Sequence, residues 1–246
     1  MTPDYVNRYA RHLVLKEIGG AGQQALSAAK VAIVGAGGLG GPAGLYLAAA
    51  GIGHITIIDD DVVELSNLQR QVQFAASDIG SEKATVMATT LIDINPEIKT
   101  KSYTARLTQV NAQDLLKGYD IILDGVDDFE TRFAINNAAL ALKTPLVSGA
   151  LGRFDGQLSV FLSDGESPCY RCFVPQIPPD AQTCSQVGVV GALAGVIGSM
   201  MALEVIKLIT GAGEPLVGKI WLFDGLKAQS RTVNLPQDPN CPACSL

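Results

Sequence analysis

The chain has 246 residues, of which 48% are hydrophobic and 17% charged, and a chain of this size can bury about three quarters of its unfolded surface without help from disulfides. Its net charge of −6 argues against nucleic acid or an anionic membrane as the main partner. Asp4, Arg8 and Arg11 occupy the N-terminal turns where a signal peptide would be apolar, so the expectation is a cytoplasmic protein with reduced cysteines.

Tyr5 to Leu15 has helical spacing of Tyr5, Tyr9, His12 and Leu13, and Gln23 to Ala29 predicts a second short helix. Val31 to Val34 predicts a buried strand running into the glycine loop Gly35-Ala36-Gly37-Gly38-Leu39-Gly40. A helix follows over Leu39 to Ala50 and ends at Gly51 and Gly53. His54 to Asp59 is apolar almost throughout, as a central parallel strand should be. Glu82 to Ile94 predicts a helix that stops before Pro96. Strands are expected over Lys99 to Ala105 and Tyr119 to Asp124, a helix over Phe129 to Lys143, and a further strand from Pro145 to Gly149. This alternation predicts a Rossmann-like, doubly wound and mainly parallel α/β sheet.

The pattern changes after Gly152. Gln157 to Leu162 predicts a strand entered from an Asp155-Gly156 turn, and Pro168 to Gln186 a long proline-rich loop. Val187 to Met201 is uncharged and carries Gly188, Gly191, Gly195 and Gly198. It falls short of the roughly twenty apolar residues that span a bilayer, and its small residues allow close helix approach. It is expected as a buried helix. Antiparallel strands are expected over Lys219 to Phe223 and Gln229 to Val233, then an irregular tail from Pro236 to Leu246. No repeat or linker divides the chain, so residues 1–246 are expected to form one domain.

The glycine loop lies between a strand and a helix, where glycines let backbone approach a phosphate and the helix N-terminus favours its charge. Asp59, ending the next strand, is placed to accept from ribose hydroxyls. Ser66-Asn67-Leu68-Gln69-Arg70-Gln71 then adds an arginine and several amides, a set suited to polyphosphate rather than a hydride carrier. Arg70 and Lys83 could face the phosphates, or could be ordinary surface charges; Asp60 and Asp61 could be a solvated turn. Asp124 and Asp127 follow the fourth strand on the same edge, where a carboxylate can hold magnesium. The chain has only two histidines, His12 and His54, so charge stabilisation and positioning fit this inventory better than histidine acid–base chemistry.

Cys169 and Cys172 form one Cys-x-x-Cys pair and Cys241 and Cys244 another. Four thiolates are the ligand set of a closed structural zinc site, which would tie the tail to the central loop. Two redox pairs or free thiols are the alternative. Cys184 is the odd one, either a small buried hydrophobe or an exposed nucleophile.

Taken together, Arg8-Tyr9-Ala10-Arg11, the glycine loop, Ser66 to Gln71, Lys83, Asp127, both cysteine pairs and Thr183-Cys184 resemble the MoeB and ThiF family of ubiquitin-activating-like adenylyltransferases over nearly the whole chain. The resemblance implies attack of a ubiquitin-fold sulfur-carrier protein's C-terminal Gly-Gly carboxylate on the α-phosphate of ATP, giving an acyl-adenylate and pyrophosphate. It further implies that Gly38 lies against the phosphates, Asp59 holds the ribose, Asn67, Arg70 and Lys83 contact the triphosphate, and Asp127 binds magnesium. Arg11 would reach the ATP of the other subunit of a homodimer, and Cys184 would be the loop cysteine that links covalently to the carrier in some members. The family's usual Thr-Asp-Asn reads Val126-Asp127-Asp128 here, which adds a charge beside the metal position. The sequence ends just after Cys244, without the rhodanese domain of some relatives, so a separate sulfur donor is expected. Ser148-Gly149-Ala150 and Asp164 to Cys172 look more like MoeB than ThiF, which favours the molybdopterin-pathway carrier over the thiamine one. The other readings are adenylation of another small substrate, an NAD-dependent oxidoreductase, which leaves Arg70, Lys83 and the cysteine pairs unused, and a zinc-stabilised scaffold that binds carriers without turnover.

Overall fold

The computed structural model describes residues 2–179 and 188–245. Eight strands form one sheet in the order β3-β2-β1-β4-β5-β6-β7-β8. They are β1 (Lys30–Val34), β2 (His54–Ile58), β3 (Lys99–Tyr103), β4 (Ile121–Asp124), β5 (Leu146–Leu151), β6 (Asp155–Phe161), β7 (Lys219–Asp224) and β8 (Gln229–Asn234). The first five pair in parallel, and β6, β7 and β8 extend the sheet antiparallel.

Alternation along β1 divides the interior. Val31 and Ile33 face a core shared with the helices α2 (Gly19–Ala28), α3 (Gly40–Ala50), α4 (Lys83–Ile94) and α8 (Gly191–Thr210). Ala32 and Val34 face a second core with α5 (Ala112–Leu116), α6 (Phe129–Leu142) and Tyr170 of the short helix α7 (Tyr170–Phe173). With both faces covered, the central parallel strands β1, β2 and β4 are largely apolar at successive positions, whereas the edge strand β3 is polar and partly exposed. The N-terminal helix α1 (Pro3–Leu13) is capped by Thr2, whose hydroxyl accepts from the Tyr5 amide at 3.2 Å. Its Tyr9 is buried and its hydroxyl accepts from the Asn95 amide at 2.8 Å.

α8 is long and apolar enough to cross a membrane by length and composition alone, but Leu193, Ile197, Met201 and Val205 are buried in the core. Its glycines serve close approach: a Cβ on Gly198 would press on the Leu39 carbonyl and Pro42, and one on Gly191 would enter the Gln69 carbonyl. Its one buried acid, Glu204, accepts from Lys207 at 2.6 Å and from the Leu216 amide at 2.8 Å.

The charge at the end of β4 is also spent on structure. Asp124 is 1% exposed and pairs at 2.9 Å with Arg132 of α6, which is 6% exposed. Asp124 also accepts from Ser148 Oγ at 2.7 Å and from the Val126 amide at 3.2 Å. Removing one member of such a pair leaves the other charge buried and uncompensated. We expect Arg132→Met to lower the unfolding free energy by about 3–5 kcal/mol, read by denaturant titration; a loss below 1 kcal/mol would mean that Asp124 finds another partner.

Candidate ligand cavity and metal centre

In an open parallel sheet a ligand crevice forms where strand order reverses, beyond the carboxyl ends of the strands. Here β1 has β2 on one side and β4 on the other, and the crevice there is a cavity of about 700 Å3. Its lining includes Gly35, Gly37, Gly38, Asp59, Asn67, Arg70, Lys83 and Asp127. The structure thus gathers these eight predicted residues from five segments of the chain. Gly40 does not line it, and neither does Arg11, which is exposed on α1. Cys184 lies outside the described residues.

Backbone approach dictates the glycine loop. Gly35 has φ +91° and donates to the Ile58 carbonyl at 2.9 Å, and a Cβ on it would meet the Gly125 backbone. A Cβ on Gly40 would fall inside the Gly35 carbonyl, so Gly40 acts by letting α3 start against β1. Asp59 closes the loop from β2, accepting from the Ala36 amide at 2.7 Å and from the Asp61 amide at 2.9 Å. Burial pushes its carboxyl above the usual carboxylate range, and the two amide donors oppose that shift.

Lys83 is 7% exposed and its ammonium meets Asp61 at 2.8 Å. Asp61 is therefore an ion-pair partner as well as a turn residue, whereas Asp60 is exposed. Asn67 ends a single 3-10 turn, Leu65–Asn67. Its side-chain oxygen accepts from the Glu64 amide at 3.1 Å, while its NH2 group makes only a long 3.5 Å contact with Ser66. Arg70 is half-buried and donates to the Ser66 carbonyl at 3.0 Å. These groups bring two cations and amide donors to the same wall as the glycine loop.

Three features were not legible from sequence. Asp124 is unavailable to a cation, because Arg132 and Ser148 occupy its carboxylate; of the two acids considered for magnesium, Asp127 lines the cavity and Asp124 does not. Asp128 caps α6, accepting from the Thr131 amide at 2.8 Å, and its other oxygen lies 3.8 Å from Arg106, so its extra charge is absorbed locally. Gln71 is buried and its Oε1 has no partner among the described residues, which leaves an acceptor at the cavity lining.

The four cysteines of the two pairs meet at the other end of the molecule's sequence logic, where the tail folds back on α7. Cys169 Sγ lies 3.6 Å from Cys241 Sγ and Cys172 Sγ 3.5 Å from Cys244 Sγ, and all four sulfurs fall within 4.8 Å of one another. None of the four is in a disulfide. Tetrahedral thiolates around zinc at about 2.3 Å are about 3.8 Å apart, so the donor set fits such an ion. Burial pushes the Cys169 thiol up, and a buried thiolate group of this kind needs a cation at its centre. A closed four-thiolate site leaves no open position, which fits a structural role.

Fold and cavity define a Rossmann-like α/β protein with a charged cavity, lined by both acids and bases, at its topological switch point. A family model described as the ThiF family matches residues 9–243. The sulfur carrier protein adenylyltransferase of Thermus thermophilus is 43% identical over 249 residues, covering 99% of this chain and 92% of that one. The probable adenylyltransferase/sulfurtransferase MoeZ of Mycobacterium tuberculosis is 44% identical over 247 residues; the match covers 98% of this chain but 63% of that relative. The SAMP-activating enzyme E1 of Haloferax volcanii is 39% identical over 241 residues, covering 97% of this chain and 88% of its own. Among solved structures, E. coli MccB with ATP superposes with a TM-score of 0.85 at 24% identity, covering 100% of this chain and 77% of that one, a likeness of fold. The chain belongs to the ThiF family.

We expect purified protein to carry one metal ion per chain and Cys172→Ser to lower both metal content and thermal stability, measured by elemental analysis and a melting curve. An unchanged metal stoichiometry in that variant would sink the four-thiolate centre.

Proposed function

We propose that this chain is an ATP-dependent adenylyltransferase that activates the C-terminal Gly-Gly carboxylate of a ubiquitin-fold sulfur-carrier protein, with the molybdopterin-pathway carrier as the first candidate. The observation that carries the reading is the single cavity that joins the glycine loop to Asp59, Asn67, Arg70, Lys83 and Asp127. The names of the Thermus, Mycobacterium and Haloferax relatives support the same chemistry.

A carboxylate oxygen of the carrier attacks the α-phosphorus, the bond from that phosphorus to the bridging oxygen of the β-phosphate breaks, and pyrophosphate leaves with the electron pair. The nucleophile is already ionised, so no base is required. What the protein must supply is positioning and neutralisation of phosphate charge. Asp59 holds the ribose; Gly35, Gly37 and Gly38 allow the backbone to meet the phosphates. Asn67 donates from its NH2 group, and Arg70 and Lys83 neutralise the triphosphate. Lys83 is pre-aimed by Asp61, whose exposed carboxylate it can leave for a phosphate. Asp127 is the carboxylate for magnesium, which usually keeps waters and substrate oxygens as its other ligands. Zinc in the cysteine centre would tether the tail, and binding of that kind can contribute on the order of 10 kcal/mol to folding.

Arg11 is exposed and outside the cavity lining, so its role at ATP requires a second copy of the chain, as in a homodimer. Cys184 is the candidate for a covalent carrier link. Sulfur would come from a separate donor protein, and the enzyme would work in the cytoplasm.

The test is exchange of labelled pyrophosphate into ATP with magnesium, using molybdopterin-type and thiamine-type carriers ending in Gly-Gly. Exchange should depend on carrier and favour the molybdopterin type; preference for the thiamine type would move the pathway, and none with either would refute adenylation of these carriers. Arg70→Ala should lower the exchange rate on the order of a hundredfold to a thousandfold with an unchanged melting temperature, because among the described residues its side chain is hydrogen-bonded to the fold only through the Ser66 carbonyl; wild-type exchange would remove Arg70 from the site.

A further inference from the structure

Gln73 stands two residues beyond the Arg70-Gln71 pair and does not line the cavity. It is 5% exposed, and its side-chain Nε2 donates to two successive carbonyls of the glycine loop, Ala36 at 2.6 Å and Gly37 at 3.3 Å. An amide oxygen in that place would face two carbonyl oxygens, so the orientation of the side chain is fixed by its partners. Its Oε1 is left buried with no partner among the described residues, which is unfavourable for stability unless the two donated bonds do something for the loop.

The peptide geometry says what. In a planar trans peptide the C=O and the following N–H point in opposite directions. Holding the Ala36 carbonyl fixes the direction of the Gly37 N–H, and holding the Gly37 carbonyl fixes that of the Gly38 N–H. Gly37 and Gly38 line the cavity, and among the described residues neither N–H is spent on a hydrogen bond. The Gly37 carbonyl also accepts from the Gly41 amide at 3.0 Å, so it is held from two sides. Gly41 has a second role here: a Cβ on it would collide with the Gln73 amide group. Gly41 lies inside α3 with its Cα against Gln73, in a position where an alanine would otherwise be the better helix former.

We propose that Gln73 is a positioning residue that turns the Gly37 and Gly38 N–H groups toward the phosphates, and that Gly41 is the space this brace requires. The proposal rests on the reading of the cavity as a nucleotide site. It assigns to these residues a specific link between the segment after Arg70 and the phosphate loop: the chain that brings the arginine also sets the loop's donors. Pre-aimed donors bind without reorganisation, which is where their advantage over mobile ones lies.

The experiment titrates ATP with magnesium onto the full chain and follows amide hydrogen exchange of the unliganded loop. Gln73→Met, similar in length but unable to donate, should weaken ATP binding about tenfold and speed exchange at Gly37 and Gly38, with carrier binding in the absence of ATP unchanged. Gln73→Glu, which keeps the shape and turns an acceptor toward the carbonyls, should act in the same direction should the methionine variant not fold. Gly41→Ala should cost about tenfold in the wild-type background but less than about twofold when Gln73→Ala has already made room, because contacting residues couple where distant ones add. Equal losses from Gly41→Ala in both backgrounds, or wild-type ATP affinity in Gln73→Met, would overturn the brace. If the wild-type chain itself binds no ATP, the nucleotide reading fails, and loop exchange in Gln73→Met decides the brace alone: unchanged rates overturn it.

Discussion

Everything at the cavity depends on how closely α3 starts against β1. The Gly40 Cα sits where a Cβ would enter the Gly35 carbonyl, and Gly35 turns with positive φ against Gly125. That contact brings a helix N-terminus, with its unpaired amides and partial positive charge, to the end of the central strand. Asp59 then reaches from β2 to the Ala36 amide, and Gln73 reaches from the far side to the Ala36 carbonyl. The two faces of one peptide neighbourhood are thus held by side chains from different segments. A larger residue at either glycine would move the helix, and with it the positions that Asp59 and Gln73 were placed to meet.

The same economy governs charge. In an interior this apolar, each buried ionic group needs a partner or a ligand. Asp124 has Arg132, Glu204 has Lys207 and a backbone amide, and Lys83 has Asp61. The first pair is buried on both sides, and the second joins a buried Glu204 to a half-buried Lys207. The third is asymmetric: Lys83 is 7% exposed and Asp61 67%. A cation in the wall whose ion-pair partner among the described residues is solvated can be shared with an incoming anion, because the carboxylate it leaves returns to water at little cost. That asymmetry distinguishes the Lys83–Asp61 pair, both members of which line the cavity, from the two others.

Much of this was legible in the sequence, and the exceptions have physical reasons. The apolar runs Val31 to Val34 and Ile121 to Leu123 can only be central strands, because nothing polar in them could face water. Asp155-Gly156 read as a turn, yet both residues belong to β6: Gly156 pairs with Phe223, and Ile197 of α8 fills the place of the missing side chain. A glycine that admits a neighbour and a glycine that turns the chain look alike in sequence. The five-residue helix α5 is too short to show a period. α7 sits in a proline-rich stretch and is anchored from outside, the Tyr170 amide donating to Asn136 at 2.9 Å. Cysteine spacing forecast the cluster because thiols have few other reasons to recur in that pattern. The roles of Asp124, Asp128 and Gln73 were hidden, since each depends on a partner that only the fold brings near.

The two histidines bear on the chemistry in a way that the cavity alone does not. His12 is on α1, where its Nδ1 shares a 2.8 Å hydrogen bond with Gln23. His54 begins β2, at the opposite end of that strand from Asp59, and burial together with Lys30, Lys99 and Lys101 holds its pKa down. Neither lines the cavity, so the wall holds carboxylates, amides, a lysine and arginines but no imidazole. Four of its six acids are already engaged: Asp59 by two amides, Asp61 by Lys83, Glu64 by the Ser66 hydroxyl and Asp128 by a helix cap. A reaction that had to remove a proton from its nucleophile would find little here to take it. On the adenylation reading proposed above, a carboxylate attacking phosphorus brings its own charge, and what would limit it is repulsion from the triphosphate, which Arg70, Lys83 and a cation at Asp127 would relieve. On that reading a nucleophile that arrives ionised makes no demand for a base, in keeping with a wall that holds no imidazole.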